Sequence, residues 1–220
     1  MQTIFEFLKE LKLNNNREWF NANKERWLDV KQRAEEIAFR LIAEVAKFDP
    51  DAARLTPSDC IYRIYRDTRF SADKTPYKTH IGIYINPNGG KKSPRCGYYV
   101  HLEPGASCVA GGAWNPSGPM LKAIRQDIFD NIDEYLEIIN NPEFAAYYPV
   151  VGEEPLKTAP KGFPKDWEHI ELLKPRWFTV TTSIPDRTML SSKAITAIAD
   201  RMRLLKPFDD FLNYTVDQFL

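Results

Sequence analysis

Residues 80–90 of this chain read HIGIYINPNGG, a short run of β-branched and aromatic residues that ends in a Pro-Asn-Gly-Gly turn. Short runs of this kind, bounded by Pro and Gly, predict β-strands. The same pattern recurs in four further segments, residues 61–67, 97–103, 107–113 and 177–184. Because most of these runs follow one another closely, they predict an antiparallel sheet of about five strands rather than βαβ units.

Helical periodicity flanks the strands on both sides. Apolar residues recur every three or four positions up to Leu13 and again from Arg17 to Phe48, with an interruption near residues 21–23. Beyond the strands, the pattern predicts a helix capped by Ser117, another capped by Ser192 and a last helix opened by Pro207. The order of helices, strands and helices predicts an α+β fold, in which a long N-terminal helix and C-terminal helices pack on the sheet.

Length and composition are those of one folded domain. The chain has 220 residues, of which 43% are hydrophobic and 27% charged. We therefore expect a single domain over residues 1–220, helical in 1–50, mainly strands in 55–115, and helix, loop, strand and helix in 117–220.

The cysteines and the N-terminus indicate the compartment. Cys60, Cys96 and Cys108 are odd in number and lack the spacing of a zinc site or a disulfide framework, so we expect reduced thiols. The N-terminus lacks the pattern of a signal peptide, and no window approaches 18 apolar residues. We expect a soluble, cytoplasmic protein that does not enter a membrane.

The most functionalised stretch is residues 63–80, RIYRDTRFSADKTPYKTH. It carries five basic residues against two acidic ones, net +3, in a chain whose net charge is zero. The neutral total argues against nucleic-acid binding, whereas clustered Arg forks suit phosphate and carboxylate groups. The sequence therefore predicts a site for an anionic small molecule. Its candidate ligand-binding residues are Arg63, Arg66, Asp67, Arg69, Asp73, Lys74, Lys78 and His80.

An internal ion-pair network explains the same residues, because Asp67 and Asp73 are available as partners for the arginines. The protein would then be a non-catalytic interaction or structural module, and both alternatives stay open. Either way, cations on both sides would depress the pKa of Asp67 and Asp73 and make them poor general bases. The sequence assigns no catalytic residue, cofactor or metal. The Gly111-Gly112 pair fits no phosphate-binding motif and is equally explained by close backbone approach.

Several separated motifs carry a family resemblance. They are residues 15–20 (NNREWF), 63–70 (RIYRDTRF), 73–78 (DKTPYK), Gly111-Gly112 followed by Trp114 and Pro116, and 160–163 (PKGF). In this order they resemble the proteins grouped as domain of unknown function 2461. That family has no established activity, so the resemblance implies a single-domain protein, no particular reaction and no catalytic residues to transfer.

Overall fold

Four antiparallel strands form the sheet of this protein, which a computed structural model describes over residues 1–220. The strands neighbour one another in chain order: β1 (Ile81–Ile85), β2 (Tyr98–Leu102), β3 (Cys108–Ala113) and β4 (Phe178–Ser183). Along β2, Tyr98, Val100 and Leu102 are buried while the alternate residues are half-buried. The α+β class and the antiparallel sheet are confirmed, but the sheet has four strands rather than about five.

Residues 61–67, the first of the five predicted strands, do not form a strand. Two isolated bridges are their only strand-like pairings, and these join Ile61 to Ile83 and Tyr65 to Tyr77. The ladder stops because Pro76 has no N–H to donate and because the Asn15 side chain takes both backbone groups of Tyr77. The segment is therefore a loop fastened at a few points.

Nine α-helices accompany the sheet. They are α1 (Gln2–Leu13), α2 (Arg17–Ala22), α3 (Lys24–Val45), α4 (Pro57–Cys60), α5 (Gly118–Asp130), α6 (Ile132–Ile139), α7 (Pro142–Tyr147), α8 (Asp186–Met189) and α9 (Ala194–Val216). The predicted interruption near residues 21–23 is confirmed, since Asn23 separates α2 from α3. Ser117 accepts a hydrogen bond from the Met120 N–H and so caps α5 as predicted.

Two helix predictions were wrong. The apolar periodicity after Ser117 continues to Ile139 and predicts one helix, but that helix ends at Asp130, and Asn131 separates it from α6. Pro207 does not open a new helix but lies inside α9. Its ring removes one backbone hydrogen bond, yet the flanking Leu205 and Phe208 are both fully buried, and this packing keeps the helix continuous.

The chain divides into two compact units. The first consists of Met1–Lys92, Tyr99–Val109 and Ser183–Asp200, and the second of Ser93–Tyr98, Ala110–Thr182 and Arg201–Leu220. In the first unit, α3 packs against α1 and β1. In the second, the Phe208 ring lies against Tyr135 and Phe144. That residues 1–220 form a single domain stays a prediction.

The glycine pair of β3 shows close backbone approach within the second unit. Gly112 has φ +98°, and a Cβ added there would lie 2.1 Å from the Phe178 carbonyl oxygen. The Gly112 N–H donates to Asp209 Oδ1 at 2.7 Å. The interpretation of these glycines as a packing requirement is confirmed.

Candidate functional site

Residues 15–20 hold the 61–80 segment in place within the first unit. The Asn15 amide donates to the Tyr77 carbonyl oxygen at 2.9 Å, and its Oδ1 accepts the Tyr77 N–H at 3.1 Å. The Phe20 ring stacks on the Tyr77 ring, with centroids 3.9 Å apart and planes 12° apart. Asn16 caps α2 by accepting the Trp19 N–H, which sets the direction of the helix that carries Phe20. The motif at residues 15–20 and the motif at residues 73–78 therefore contact each other directly.

Residues 66–75, here called the paired loop, use their charges on one another. The Arg66 guanidinium donates to the Asp73 carboxylate and to the Thr75 hydroxyl. Arg69 forms a two-pronged contact with Asp67, at 3.0 and 2.7 Å. Lys74 lies in the same loop, and its Nζ donates to the Thr68 carbonyl oxygen at 2.9 Å. Three of the five cations of the predicted site are thus engaged locally.

This pairing fixes the charge of the two acids. The Arg69 side chain is the main cause that lowers the pKa of Asp67 to about 2. The Thr75 backbone N–H, followed by Arg66, lowers the pKa of Asp73 to about 2. The depressed values expected from the sequence are confirmed, and neither carboxylate is a suitable general base near neutral pH.

Arg63 and Lys78 differ from these cations because the structure shows neither a carboxylate nor a backbone carbonyl as a partner of their side chains. Arg63 is exposed, whereas Lys78 is half-buried with its Nζ 5.3 Å from the centroid of the Tyr62 ring. Burial, followed by the charge of Arg63, lowers the pKa of Lys78. Two cations that repel each other without an acidic partner are an arrangement that an anion stabilises.

The outer face of the sheet adjoins these cations. The His80 and His101 rings stack with centroids 4.1 Å apart. His101 Nδ1 lies 3.0 Å from the Tyr99 hydroxyl and its Nε2 lies 2.9 Å from Glu103 Oε2. The side chains of His101 and Glu103 are only 19% and 17% exposed. The result is a hydrogen-bonded chain of tyrosine, imidazole and carboxylate, covered on one side by a second imidazole.

The titration of this face follows from its burial. Burial is the main cause that lowers the pKa of His80 to about 4, and His101 and Lys78 add to it. Burial raises the pKa of Glu103, but hydrogen bonds from His101 and Thr79 outweigh it and hold that pKa below its usual range. At neutral pH, therefore, His80 is a neutral imidazole and Glu103 is a carboxylate.

The family model described as Conserved hypothetical protein (DUF2461) matches residues 3–211 of the chain. The protein belongs to this family. Comparisons with curated proteins and with solved structures find no match. None of the helices of this DUF2461 protein combines the length and the apolar character needed to cross a membrane.

In this DUF2461 protein the eight predicted site residues separate into two groups. Five of them, Arg66, Asp67, Arg69, Asp73 and Lys74, pair within the paired loop. The other three, Arg63, Lys78 and His80, lie near enough for Arg63 to lower the pKa of Lys78 and for Lys78 to lower that of His80. Whether either group binds a ligand stays a prediction.

The sequence interpretation missed Tyr99, His101 and Glu103. Strand alternation is the signal that could have found them, because these three residues occupy every second position of the predicted strand 97–103 and so share one face. Alternation does not show which strand lies beside this one. The neighbour is β1, and it brings the His80 ring onto the His101 ring.

Gly82 of β1 makes room for the aromatic part of this face. A Cβ at Gly82 would lie 3.1 Å from both the Tyr62 and the Tyr99 rings, which are tighter contacts than side chains normally make. The two tyrosine rings themselves have centroids 6.5 Å apart. Because Gly82 has no side chain, the Tyr62 ring can lie against β1. The Lys78 ammonium lies over this same ring.

The three cysteines form no disulfide in the structure. Cys60 and Cys96 are buried, and burial raises the pKa of Cys60 to about 12. Cys108 is half-buried, and burial raises the pKa of its thiol too. Thiols in such surroundings are protonated and of low nucleophilicity, so they are not candidates for covalent chemistry.

Proposed function

We propose that this DUF2461 protein binds an anionic small molecule, one that carries a phosphate or carboxylate group, between Arg63 and Lys78. The observation that carries the proposal is the half-buried Lys78 ammonium, which lies close to a second cation and pairs with no carboxylate. Burying a charge is costly unless it is paired. A bound anion would supply the missing partner for both cations.

The surroundings of Lys78 also suit such a ligand. The exposed Arg63 guanidinium offers two parallel donors that match a phosphate or carboxylate edge. The Tyr62 ring under the ammonium, together with the neighbouring Tyr99 ring, provides an apolar and aromatic wall. A wall of this kind suits the organic part of a small anion, because ligand sites combine apolar surface with a few polar groups.

A second candidate is an interaction module, and the paired loop supports it. Its arginines are used by Asp67 and Asp73, as an internal network requires. The loop also carries Phe70, a residue that is 96% exposed, and a large exposed aromatic residue is a common anchor for a protein partner. The two candidates use different cations, so mutation can separate them.

Thermal melts with added anions test the proposal. Phosphate, sulfate and citrate, at ionic strength matched with chloride, should raise the Tm of the wild type. An anion at a hundredfold excess over its Kd stabilises the folded protein by about 2.7 kcal/mol. For a chain of this length, that raises the Tm by about 5–10 °C. Lys78→Met should lose this shift, and without anion it should be at least as stable as wild type, because an unpaired charge is removed.

Lys74→Met is the matched control, since Lys74 is an exposed lysine of the same segment whose Nζ contacts only a backbone carbonyl. It should keep the full anion shift. Equal shifts in wild type and Lys78→Met, or no shift in the wild type with any of the three anions, would contradict the proposal. A large anion-independent loss of stability in Arg66→Met would, in addition, support the internal network of the second candidate.

A further inference from the structure

Two of the three histidines of the chain meet beside a half-buried carboxylate on the outer face of the sheet. One ligand atom from each of His80, His101 and Glu103 lies within 4.8 Å of the other two. These atoms are two imidazole nitrogens and one carboxylate oxygen, a donor set that divalent first-row transition metals favour. The third histidine, His169, lies elsewhere and faces Glu168 at 4.0 Å.

The strands explain why these three side chains converge. His101 lies on β2 and Glu103 directly follows the strand. Because the two residues are two positions apart, their side chains point to the same face. His80 immediately precedes β1, the neighbour of β2 in the sheet, and its ring stacks on that of His101. Ligands held on or directly beside paired strands, as these three are, are positioned more rigidly than ligands on free loops.

We propose that His80, His101 and Glu103 bind a divalent transition-metal ion of the zinc type. Bonds of about 2.0–2.2 Å in tetrahedral geometry place ligand atoms about 3.4 Å apart. The ligand atoms, now within 4.8 Å of one another, would have to move closer together, and the stacked imidazole rings would have to turn so that a nitrogen of each points at the ion. The site departs from the expectation, drawn from the sequence, that the chain binds no metal.

A second observation concerns the other nitrogen of His101. Nδ1 lies 3.0 Å from the Tyr99 hydroxyl, whereas Nε2 lies 2.9 Å from the Glu103 carboxylate. A metal ion at Nε2 would displace the proton from that nitrogen, and the proton on Nδ1 would then be donated to the Tyr99 oxygen. Metal-bound histidines nearly always have such a partner, which fixes the tautomer and the ring orientation. The nitrogens of His80, in contrast, make no hydrogen bond in the structure, and its ring stacks on that of His101. A nitrogen of His80 is therefore available to a metal ion.

Competition for Glu103 is weak. Lys12 approaches Glu103 Oε1 at 3.6 Å, but the lysine side chain is 66% exposed and can move into solvent at little cost. Glu103 and Thr79 also line a cavity of about 230 Å³, so the carboxylate is reached from solvent on that side. Three protein ligands would leave a coordination position for water or an anion. The metal proposal stands independently of the anion site at Lys78.

The test uses the full chain, without a histidine tag and stripped with EDTA. Calorimetric titration with Zn²⁺ should show one ion bound per chain, and Co²⁺ should produce visible d–d absorption bands. His80→Ala, His101→Ala and Glu103→Gln should each weaken Zn²⁺ binding by at least about 100-fold, because each removes a ligand. Tyr99→Phe, which removes only the partner of His101, should weaken it by about 10-fold.

His169→Ala is the matched control and should bind Zn²⁺ as the wild type does. Far-UV circular dichroism checks that each variant is folded, and the Co²⁺ spectrum of the wild type tests the site even if one variant is not. No stoichiometric Zn²⁺ binding by the wild type would overturn the proposal. Unchanged binding in the folded His80→Ala and His101→Ala proteins, or an equal loss in His169→Ala, would overturn it as well.

Discussion

Replacing Asn15 by Ala should loosen the whole 61–80 segment, because one side chain satisfies two backbone groups there. The change removes the hydrogen bonds to the Tyr77 carbonyl oxygen and from the Tyr77 N–H. Each hydrogen bond is worth about 0.5–1.5 kcal/mol net, and an unsatisfied buried group costs about 1–3 kcal/mol. Asn15 is half-buried and Tyr77 is buried, so water replaces the lost bonds only in part.

We therefore expect Asn15→Ala to lower the free energy of unfolding by about 2–3 kcal/mol, which is about 4–12 °C in Tm for a chain of this length. Urea unfolding followed by tryptophan fluorescence measures the loss. Limited proteolysis should show faster cleavage between residues 63 and 78, since the clamp on that segment is gone.

Asn14→Ala is the control, because the Asn14 side chain makes one exposed hydrogen bond, to the Glu10 carbonyl oxygen of its own helix. Its loss should stay below about 1 kcal/mol. If Asn15→Ala destabilises the protein no more than Asn14→Ala does, the clamp does not hold the segment and the coupling of the two motifs is refuted.

Two further predictions concern the paired loop and the glycine pair. The folded-state pKa of Asp73, about 2, lies below its ordinary value of 3.8, so its stabilising contribution is present above that ordinary value and is lost as the pH falls toward 2. Wild type should therefore be more stable than Asp73→Asn at pH 6 but not at pH 2 in urea melts, and a difference independent of pH would contradict this. Gly112→Ala should reduce folding severely, because the added Cβ meets the Phe178 carbonyl oxygen and φ is +98°. Soluble yield and far-UV circular dichroism check this, and a variant as stable as wild type would contradict it.

Much of the fold could be predicted from local sequence signals. The strands near residues 80–86, 97–103 and 107–113 are confirmed because alternation and Pro or Gly boundaries act over a few residues. The predicted strand at residues 61–67 was wrong because the Asn15 side chain takes both backbone groups of Tyr77, a contact across 62 residues of chain. Pro207 was misjudged for a related reason, since burial of its neighbours outweighs its local helix-breaking effect.

The candidate site was less predictable than the fold. Charge clustering indicated the right segment, but charge alone cannot show which cations are engaged by acids. Arg66 and Lys78 are both basic residues of the same segment, yet Arg66 pairs with Asp73 and Lys78 has no acidic partner. His101 escaped notice because its stacking on His80 depends on the register of two strands, which the sequence does not specify.

The central claim, an anion site between Arg63 and Lys78, is tested most directly by crystals soaked in selenate. Selenate has the shape and charge of sulfate, and selenium gives an anomalous signal that locates it without ambiguity. The account predicts an anomalous peak within hydrogen-bonding reach of Lys78 Nζ and the Arg63 guanidinium in the wild type, and none at that position in Lys78→Met. Selenate bound only at the paired loop, or no peak beside an accessible Lys78, would contradict it.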